Sequence, residues 1–310
     1  MDEELRRKLI RQQYHIVGDH SAVKLCHWMR ESILKGRMCY KQTFYGIRSH
    51  RCIQMTPVVN DCTHQCTFCW RITGFEGGPQ DWEEPREMMD ELVRQQRLMV
   101  TGFPGDPRCD RAKYEEAREP KHVAISLAGE PTLYPKLGEL IAECHRRGMS
   151  TFLVSNGTMP DVLAELDPLP TQLYVTVAAP NEDVYRQVCQ PRIPDGWERI
   201  MRTLELLPSL DTRTVIRHTL VAGANLGWVG EYAKLDVIAD PTFIEPKGFV
   251  FVGSSRLRLS IANMPSHQTV KEFGLSLAGE LGLQLLNEKA DSRVVLLGEK
   301  GETRIPGMDA

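Results

Sequence analysis

The 310-residue sequence predicts an α/β fold, an incomplete parallel β/α barrel with an N-terminal helical extension. Three observations carry that expectation. From residue 52 onward, short apolar runs alternate with helical patterns, the rhythm of βαβ units. The runs are mostly apolar rather than strictly alternating, as strands covered on both faces are. Polar, glycine-containing segments follow several of the runs, where barrels of this kind carry their sites.

Taken in order, residues 1–51 read as helix and loop, with Leu5, Leu9 and Ile10, then Val23, His27 and Trp28, at helical spacing. Residues 52–59 read as the first strand, which delivers a cysteine-rich loop from its C-terminal end. Residues 86–101 read as a helix opened by Pro85 and closed by Gly102. Residues 103–120, rich in Pro, Gly and charge, read as a surface insertion. The runs 122–128, 151–154, 173–178, 214–220 and 248–252 read as buried strands, with helices at 136–147 and 197–207. The pattern weakens after residue 290. Two parts result: a basic extension, 1–51, and a barrel with C-terminal substrate-binding elements, 52–310.

Composition narrows the class. Hydrophobic residues at 42% and charged residues at 25% are ordinary for a soluble globular chain. No run approaches a membrane span, and the first nine residues lack the apolar core of a signal peptide. Nine cysteines without a secretion signal point to a reducing cytoplasm, where thiols bind metal or stay free. The odd count argues further against a disulfide framework. Charge is unevenly placed. Residues 1–51 hold 11 Lys and Arg against 5 Asp and Glu, while the remainder carries a net −9. A basic segment of this kind fits a polyanion, although Arg6, Arg7, Lys8 and Arg11 also fit the solvated face of a short helix.

The chemistry-bearing motif is Cys62, Cys66 and Cys69, spaced C-x3-C-x2-C and followed by Trp70. Three thiolates within eight residues can hold three corners of an iron–sulfur cube. The fourth iron is then open to the amino and carboxylate groups of S-adenosylmethionine (SAM), and an electron entering the cluster can cleave the sulfonium bond to a 5′-deoxyadenosyl radical. A zinc knuckle is the alternative. It needs a fourth Cys or His at matching spacing, and His64 inside the triplet would have to fold back.

Other residues fit around this centre. After the second run, Gly129 permits close backbone approach and Glu130 can pair with the ammonium of a bound amino acid, although Gly-Glu-Pro is also an ordinary turn. After the third, Ser155 and Asn156 can hydrogen-bond a ribose or simply form an Asx-type turn. Cys26, Cys39 and Cys52 are a candidate second metal site or inert core thiols. Cys109, Cys144 and Cys189 show no ligand-like spacing. Lys41, two residues past Cys39, is a Schiff-base candidate if its surroundings are apolar, and a solvated or phosphate-binding lysine otherwise.

Four stretches together resemble the tRNA 4-demethylwyosine synthases of the radical SAM superfamily, the enzymes of wybutosine biosynthesis. They are 39–57 from Cys39 to Pro57, the triplet with Trp70 and Arg71, 121–135 around Gly129-Glu130, and 253–258 from Gly253 to Arg258. The resemblance implies a lyase that condenses N1-methylguanosine, beside the anticodon of phenylalanine tRNA, with two carbons of pyruvate. It implies two [4Fe–4S] clusters, one on Cys62, Cys66 and Cys69 and a second on Cys26, Cys39 and Cys52. Phe68, Gly129, Glu130, Ser155, Asn156 and His218 are then expected at SAM, Lys41 at pyruvate, and Arg6, Arg7, Arg11, Arg256 and Arg258 at the tRNA. The flavodoxin-like domain of eukaryotic members is not in this sequence, so the chain resembles the shorter archaeal form and an external flavodoxin or ferredoxin-like reductant is expected; a monomeric state is expected as well. Ala178 and Ala222 depart from the pattern, standing where an Asp and a Lys are expected. Two other readings share parts of this signature: a radical SAM enzyme that activates or matures a protein, and a non-catalytic iron–sulfur or zinc RNA-binding module.

Overall fold

The computed structural model describes residues 1–73 and 81–307. The helices are α1 (Glu3–Arg11), α2 (His27–Lys35), α3 (Tyr40–Tyr45), α4 (Pro85–Val100), α5 (Arg111–Ala117), α6 (Leu137–Arg146), α7 (Pro160–Ala164), α8 (Glu182–Cys189), α9 (Gly196–Leu206), α10 (Val229–Ala239) and α11 (His267–Leu281). The strands are β1 (His15–Val17), β2 (Ser21–Val23), β3 (Cys52–Thr56), β4 (His122–Ile125), β5 (Ser150–Ser155), β6 (Gln172–Thr176), β7 (Arg213–Leu220), β8 (Phe243–Gly248), β9 (Gln284–Lys289) and β10 (Val294–Gly298). All ten lie in one sheet in the order β1-β2-β3-β4-β5-β6-β7-β8-β10-β9. Neighbours from β3 to β8 are parallel. An antiparallel hairpin extends each edge, and no pairing joins β1 to β9 among the described residues. The result is an open, partial β/α barrel, as expected.

Alternation along the strands builds two cores. Ile53, Met55, Val123, Ile125, Leu153, Leu173 and Val175 face the helical layer and pack on α4, α6 and α9. In α6, Leu137, Leu140, Ile141 and Cys144 follow the i, i+3, i+4, i+7 spacing that aims one stripe at the sheet. The opposite face, the barrel interior, presents Phe152, Tyr174, Val215, Phe243, Val294 and Leu296, and against these pack Tyr40, Phe44, Tyr45 and Ile47 of the α3 region. Residues 1–51 are therefore built into the barrel. β1–β2 continues its sheet, and α3 fills its interior.

Two expectations need correction. The fifth run was expected as a strand over 248–252, but the strand is β8 and the chain beyond Gly248 is loop. Residues 1–51 contain the β1–β2 hairpin, turning at Gly18 with φ +56°, as well as helices. The 103–120 insertion carries its own short helix, α5, capped by the Asp110 side chain.

Candidate active site

The loop from Val58 to Cys69 leaves the C-terminal end of β3 and is clamped from three sides. Gln65 and Thr67 donate their N–H groups to carbonyls at the end of α8, to Cys189 at 3.1 Å and Val188 at 2.8 Å. The Arg192 guanidinium holds the Asp61 carboxylate and the Cys62 carbonyl, both at 3.1 Å. The Arg258 guanidinium holds the carbonyls of Thr67, at 3.2 Å, and Cys69. Burial pushes the Cys69 thiol up to about 11, and burial followed by the Glu130 charge pushes Cys62 up. Three half-buried soft donors on one loop, with Cys62 feeling the charges of Cys66 and Cys69 and Cys69 that of Cys66, suit a metal cluster that would hold them as thiolates.

The ends of β4 and β5 lock onto this loop. Gly129 has φ +66°, and a Cβ there would stand 1.8 Å from the Val58 carbonyl oxygen and 2.6 Å from that of Asp61, so only glycine lets the strand end approach. Glu130 donates its N–H to the Asp61 carbonyl at 3.0 Å. Its buried carboxylate accepts from Thr132 Oγ1 at 2.6 Å, Ser155 Oγ at 2.9 Å and the Asn156 N–H at 2.8 Å. Burial raises its pKa against these donors. Asn156 Nδ2 reaches Thr63 Oγ1 at 2.8 Å and Cys62 Sγ at 3.7 Å. Gly129, Glu130, Ser155 and Asn156 thus come together at the cysteine loop as one hydrogen-bonded seam. Phe68 packs half-buried against the helix-side core.

His218 does not join them. Its strand position faces the helical layer, where its ring bonds the Val177 carbonyl at 2.8 Å and the Asp236 carboxylate of α10 at 2.9 Å. The expectation of a SAM contact is corrected by strand alternation: Arg217 and Thr219, its neighbours, carry the inward direction. Arg258 is likewise spent on the cysteine loop rather than offered to phosphate. Ala178 and Ala222 contribute backbone only, with the Ala178 carbonyl taken by Asn225 at 2.7 Å and Ala222 paired with Asn263.

A second cluster of groups lies on the barrel's inner face. Cys39 opens α3, and the Lys41 ammonium stands 4.5 Å from the centroid of Phe152 and 4.4 Å from that of Tyr174. Among the described residues its Nζ has no hydrogen-bond acceptor. Burial, with Arg217 nearby, holds the Lys41 pKa down to about 8. Lys247 is held to about 8 by the same causes. Arg217 pairs with the fully buried Glu245 at 2.8 Å, and Glu245 also accepts from Tyr45 at 2.6 Å. Cys26, Cys39 and Cys52 all feel the Lys41 charge, Cys39 that of Cys26 and Cys52 those of both, with burial pushing Cys39 up to about 11. Three thiols, one buried and two half-buried, beside three cations and one carboxylate suit an anionic cluster. None of Arg217, Glu245 or Lys247 was singled out from the sequence; they sit on strands whose inward polar residues break the apolar pattern.

One further arrangement was not legible in the spacing. Donor atoms of His64, Cys66 and Cys189 lie within 4.8 Å of one another. Contact with Cys189 is the main cause of the raised Cys66 pKa. Arg6, Arg7 and Arg11 lie on α1, whose Leu5 and Leu9 pack against Val59, Leu127 and Ala128 beside the cysteine loop.

Six parallel strands that deliver a three-cysteine loop define a radical SAM protein, and the Radical SAM superfamily profile matches residues 56–235. A second profile, Wyosine base formation, matches residues 238–299. The chain belongs to the tRNA 4-demethylwyosine synthase family. It is 53% identical over 304 residues to the S-adenosyl-L-methionine-dependent tRNA 4-demethylwyosine synthase of Pyrococcus abyssi, covering 96% of this chain and 89% of that one. Its counterpart in Methanocaldococcus jannaschii is 41% identical, covering 95% and 96%. A solved structure of TYW1 with a lysine-pyruvate adduct bound is 40% identical, with a TM-score of 0.90 and coverage of 98% and 99%. No helix among the described residues is long and apolar enough to cross a membrane.

Proposed function

We propose that the chain condenses N1-methylguanosine of phenylalanine tRNA with two carbons of pyruvate, forming the tricyclic 4-demethylwyosine base in a lyase reaction. Lys41 carries the reading. Its amine is buried between two aromatic rings and held down to about 8, so a useful fraction is the unprotonated nucleophile near neutral pH. The amine adds to the ketone carbon of pyruvate and water leaves, which fixes the carbonyl carbon on the barrel's inner face as an imine. The TYW1 structure with its lysine-pyruvate adduct supports this chemistry on this fold.

Cys62, Cys66 and Cys69 would hold the [4Fe–4S] cluster which, with SAM, supplies hydrogen-atom abstraction from the N-methyl group. Cys26, Cys39 and Cys52 would hold a second [4Fe–4S] cluster beside Lys41, where Arg217 and Lys247 offset its negative charge. The seam of Gly129, Glu130, Ser155 and Asn156 keeps the cysteine loop in register with β4 and β5. The basic face of α1 beside that loop suits the phosphates of the tRNA. An external flavodoxin or ferredoxin-like reductant, a monomeric state and the cytoplasm complete the proposal.

The test is anaerobic turnover of the reconstituted protein with dithionite, SAM, pyruvate and tRNA containing N1-methylguanosine, read by nucleoside mass spectrometry. A pyruvate-dependent tricyclic base is expected. Lys41→Ala should abolish that product while still cleaving SAM to deoxyadenosine; full product from the variant removes Lys41 from the mechanism. The compact His64, Cys66 and Cys189 set favours a second reading, a zinc-holding RNA-binding protein. Such a protein would be colourless and would not cleave SAM, whereas clusters are brown.

A further inference from the structure

We infer that Trp70 and the exposed apolar residues of the 252–261 segment, Leu257 foremost, form a stacking platform for unpaired anticodon-loop nucleotides flanking the reacting base. The inference rests on the tRNA reading above and names the surface through which that RNA enters.

Trp70 directly follows Cys69, yet its side chain is 49% exposed. One face of the indole is covered by the Arg71 guanidinium, 3.9 Å from a ring centroid, and Arg71 is fixed by Tyr14 Oη at 2.8 Å. The ring is thus oriented and backed by a cation, with surface left open to solvent. A second segment is brought to it on purpose. Ser254 donates its N–H to the Trp70 carbonyl at 3.0 Å, and Gly253, at φ +59°, approaches so closely that a Cβ would stand 2.3 Å from the same oxygen. Arg258 then binds the carbonyl of Cys69 itself. This segment exposes Val252, Leu257 at 85% and Ile261 at 60%, with Arg256 beside Phe251.

Several exposed apolar side chains gathered on one segment beside an open indole suit a partner, and aromatic rings flanked by arginine are how single-stranded RNA bases are held without reading their sequence. Position selects RNA over another partner. Trp70 follows Cys69 directly, and the 253–258 segment is bound to the carbonyls of both residues, so the surface they share borders the cysteine loop at which the reading above places the reaction. Arg256 adds the charge a nucleic acid wants. An electron-donor protein is the competing occupant, and it has no need to enter by the path of the base.

The experiment measures binding of phenylalanine tRNA carrying N1-methylguanosine to the reconstituted holoenzyme. Trp70→Ala and Leu257→Ser should each weaken Kd about tenfold, the scale of one lost base stack, with the salt slope unchanged. Trp70→Phe should retain binding, yet lose the indole fluorescence quench that tRNA causes in the wild type. Masking the anticodon loop with a complementary heptanucleotide should weaken the wild type to the level of the variants. Leu257 is exposed enough that Leu257→Ser stays folded even if Trp70→Ala does not. Wild-type Kd in Leu257→Ser overturns the inference. So does slowed cluster reduction by flavodoxin, but not by dithionite, in a variant with normal tRNA affinity, which would give the surface to the donor. A wild-type protein without tRNA affinity removes the tRNA reading itself.

Discussion

Gly129 and Gly148 share a backbone conformation and differ in what surrounds them, which isolates the value of the contact at the cysteine loop. Both have φ +66°. A Cβ at Gly148 meets nothing within 4 Å, whereas one at Gly129 stands 1.8 Å from the Val58 carbonyl oxygen. Alanine at either position carries the left-handed penalty of about 1 kcal/mol. Carbon and carbonyl oxygen settle no closer than about 3.3 Å, so Gly129→Ala must also part β4 from the loop by about 1.5 Å. Overpacking of that kind costs about 1–3 kcal/mol more. At about 2 °C per kcal/mol, Gly148→Ala should lower the melting temperature by about 2 °C and Gly129→Ala by about 4–8 °C. The displaced carbonyls belong to Val58 and Asp61, the latter next to Cys62, so Gly129→Ala should also hold less iron per chain after reconstitution. Circular dichroism melts and iron analysis of both variants decide it. If the two alanine variants melt together and hold equal iron, the close approach has no energetic meaning and the reasoning fails.

Three other outcomes follow from the geometry. Glu245→Gln leaves the Arg217 charge buried without its counter-charge and should cost about 3 kcal/mol in urea unfolding; a loss below 1 kcal/mol would show the pair to be well hydrated. Burial pushes the His122 pKa down to about 4, its ring being bonded to Ser150 and to the Arg48 N–H. The unfolded chain protonates this residue near pH 6.5 and the folded chain does not, so its contribution is complete above 6.5 and drains away toward pH 4, by about 3 kcal/mol. A His122→Gln variant should lose that part of the acid sensitivity, and an unchanged pH–stability curve would contradict the assignment. Neutralising Arg6, Arg7 and Arg11 together should weaken tRNA binding and make its dependence on log salt shallower by about 2–3 units, since α1 lies beside the cysteine loop. An identical slope would remove these arginines from the interface.

Parts of the architecture were legible because the chemistry repeats locally. β4 to β6 present apolar side chains on both faces, and α4, α6 and α9 carry regular stripes between clear stops. β8 was misplaced for a physical reason. Its sequence, Phe243-Ile-Glu-Pro-Lys-Gly248, holds a buried ion-pair partner, a half-buried lysine and a proline, so it reads as a turn while the apolar loop after it reads as a strand. Charge that a strand directs into a functional interior disguises that strand. The same effect concealed Arg217. His218 shows the converse: residue type suggested a ligand, but only register says which face it takes. The cysteine loop was legible from spacing, whereas the approach of Cys189 to Cys66 depends on where α8 ends and has no local signature.

The filling of the barrel by α3 has a consequence for the order in which the molecule can assemble. Phe44 accepts a hydrogen bond from Thr303 Oγ1 at 2.7 Å, and the Tyr45 carbonyl accepts from the Ile305 N–H at 3.0 Å. Tyr45 also needs Glu245, 200 residues downstream. On a ribosome, the segment bearing Cys26, Cys39 and Lys41 emerges well before these partners and must wait, exposed, for them to follow. Contacts of such separation close late and slowly. The pocket around Lys41 is therefore finished only when β8, β10 and residues 303–305 arrive, so its α3 wall is ordered by segments made long after it.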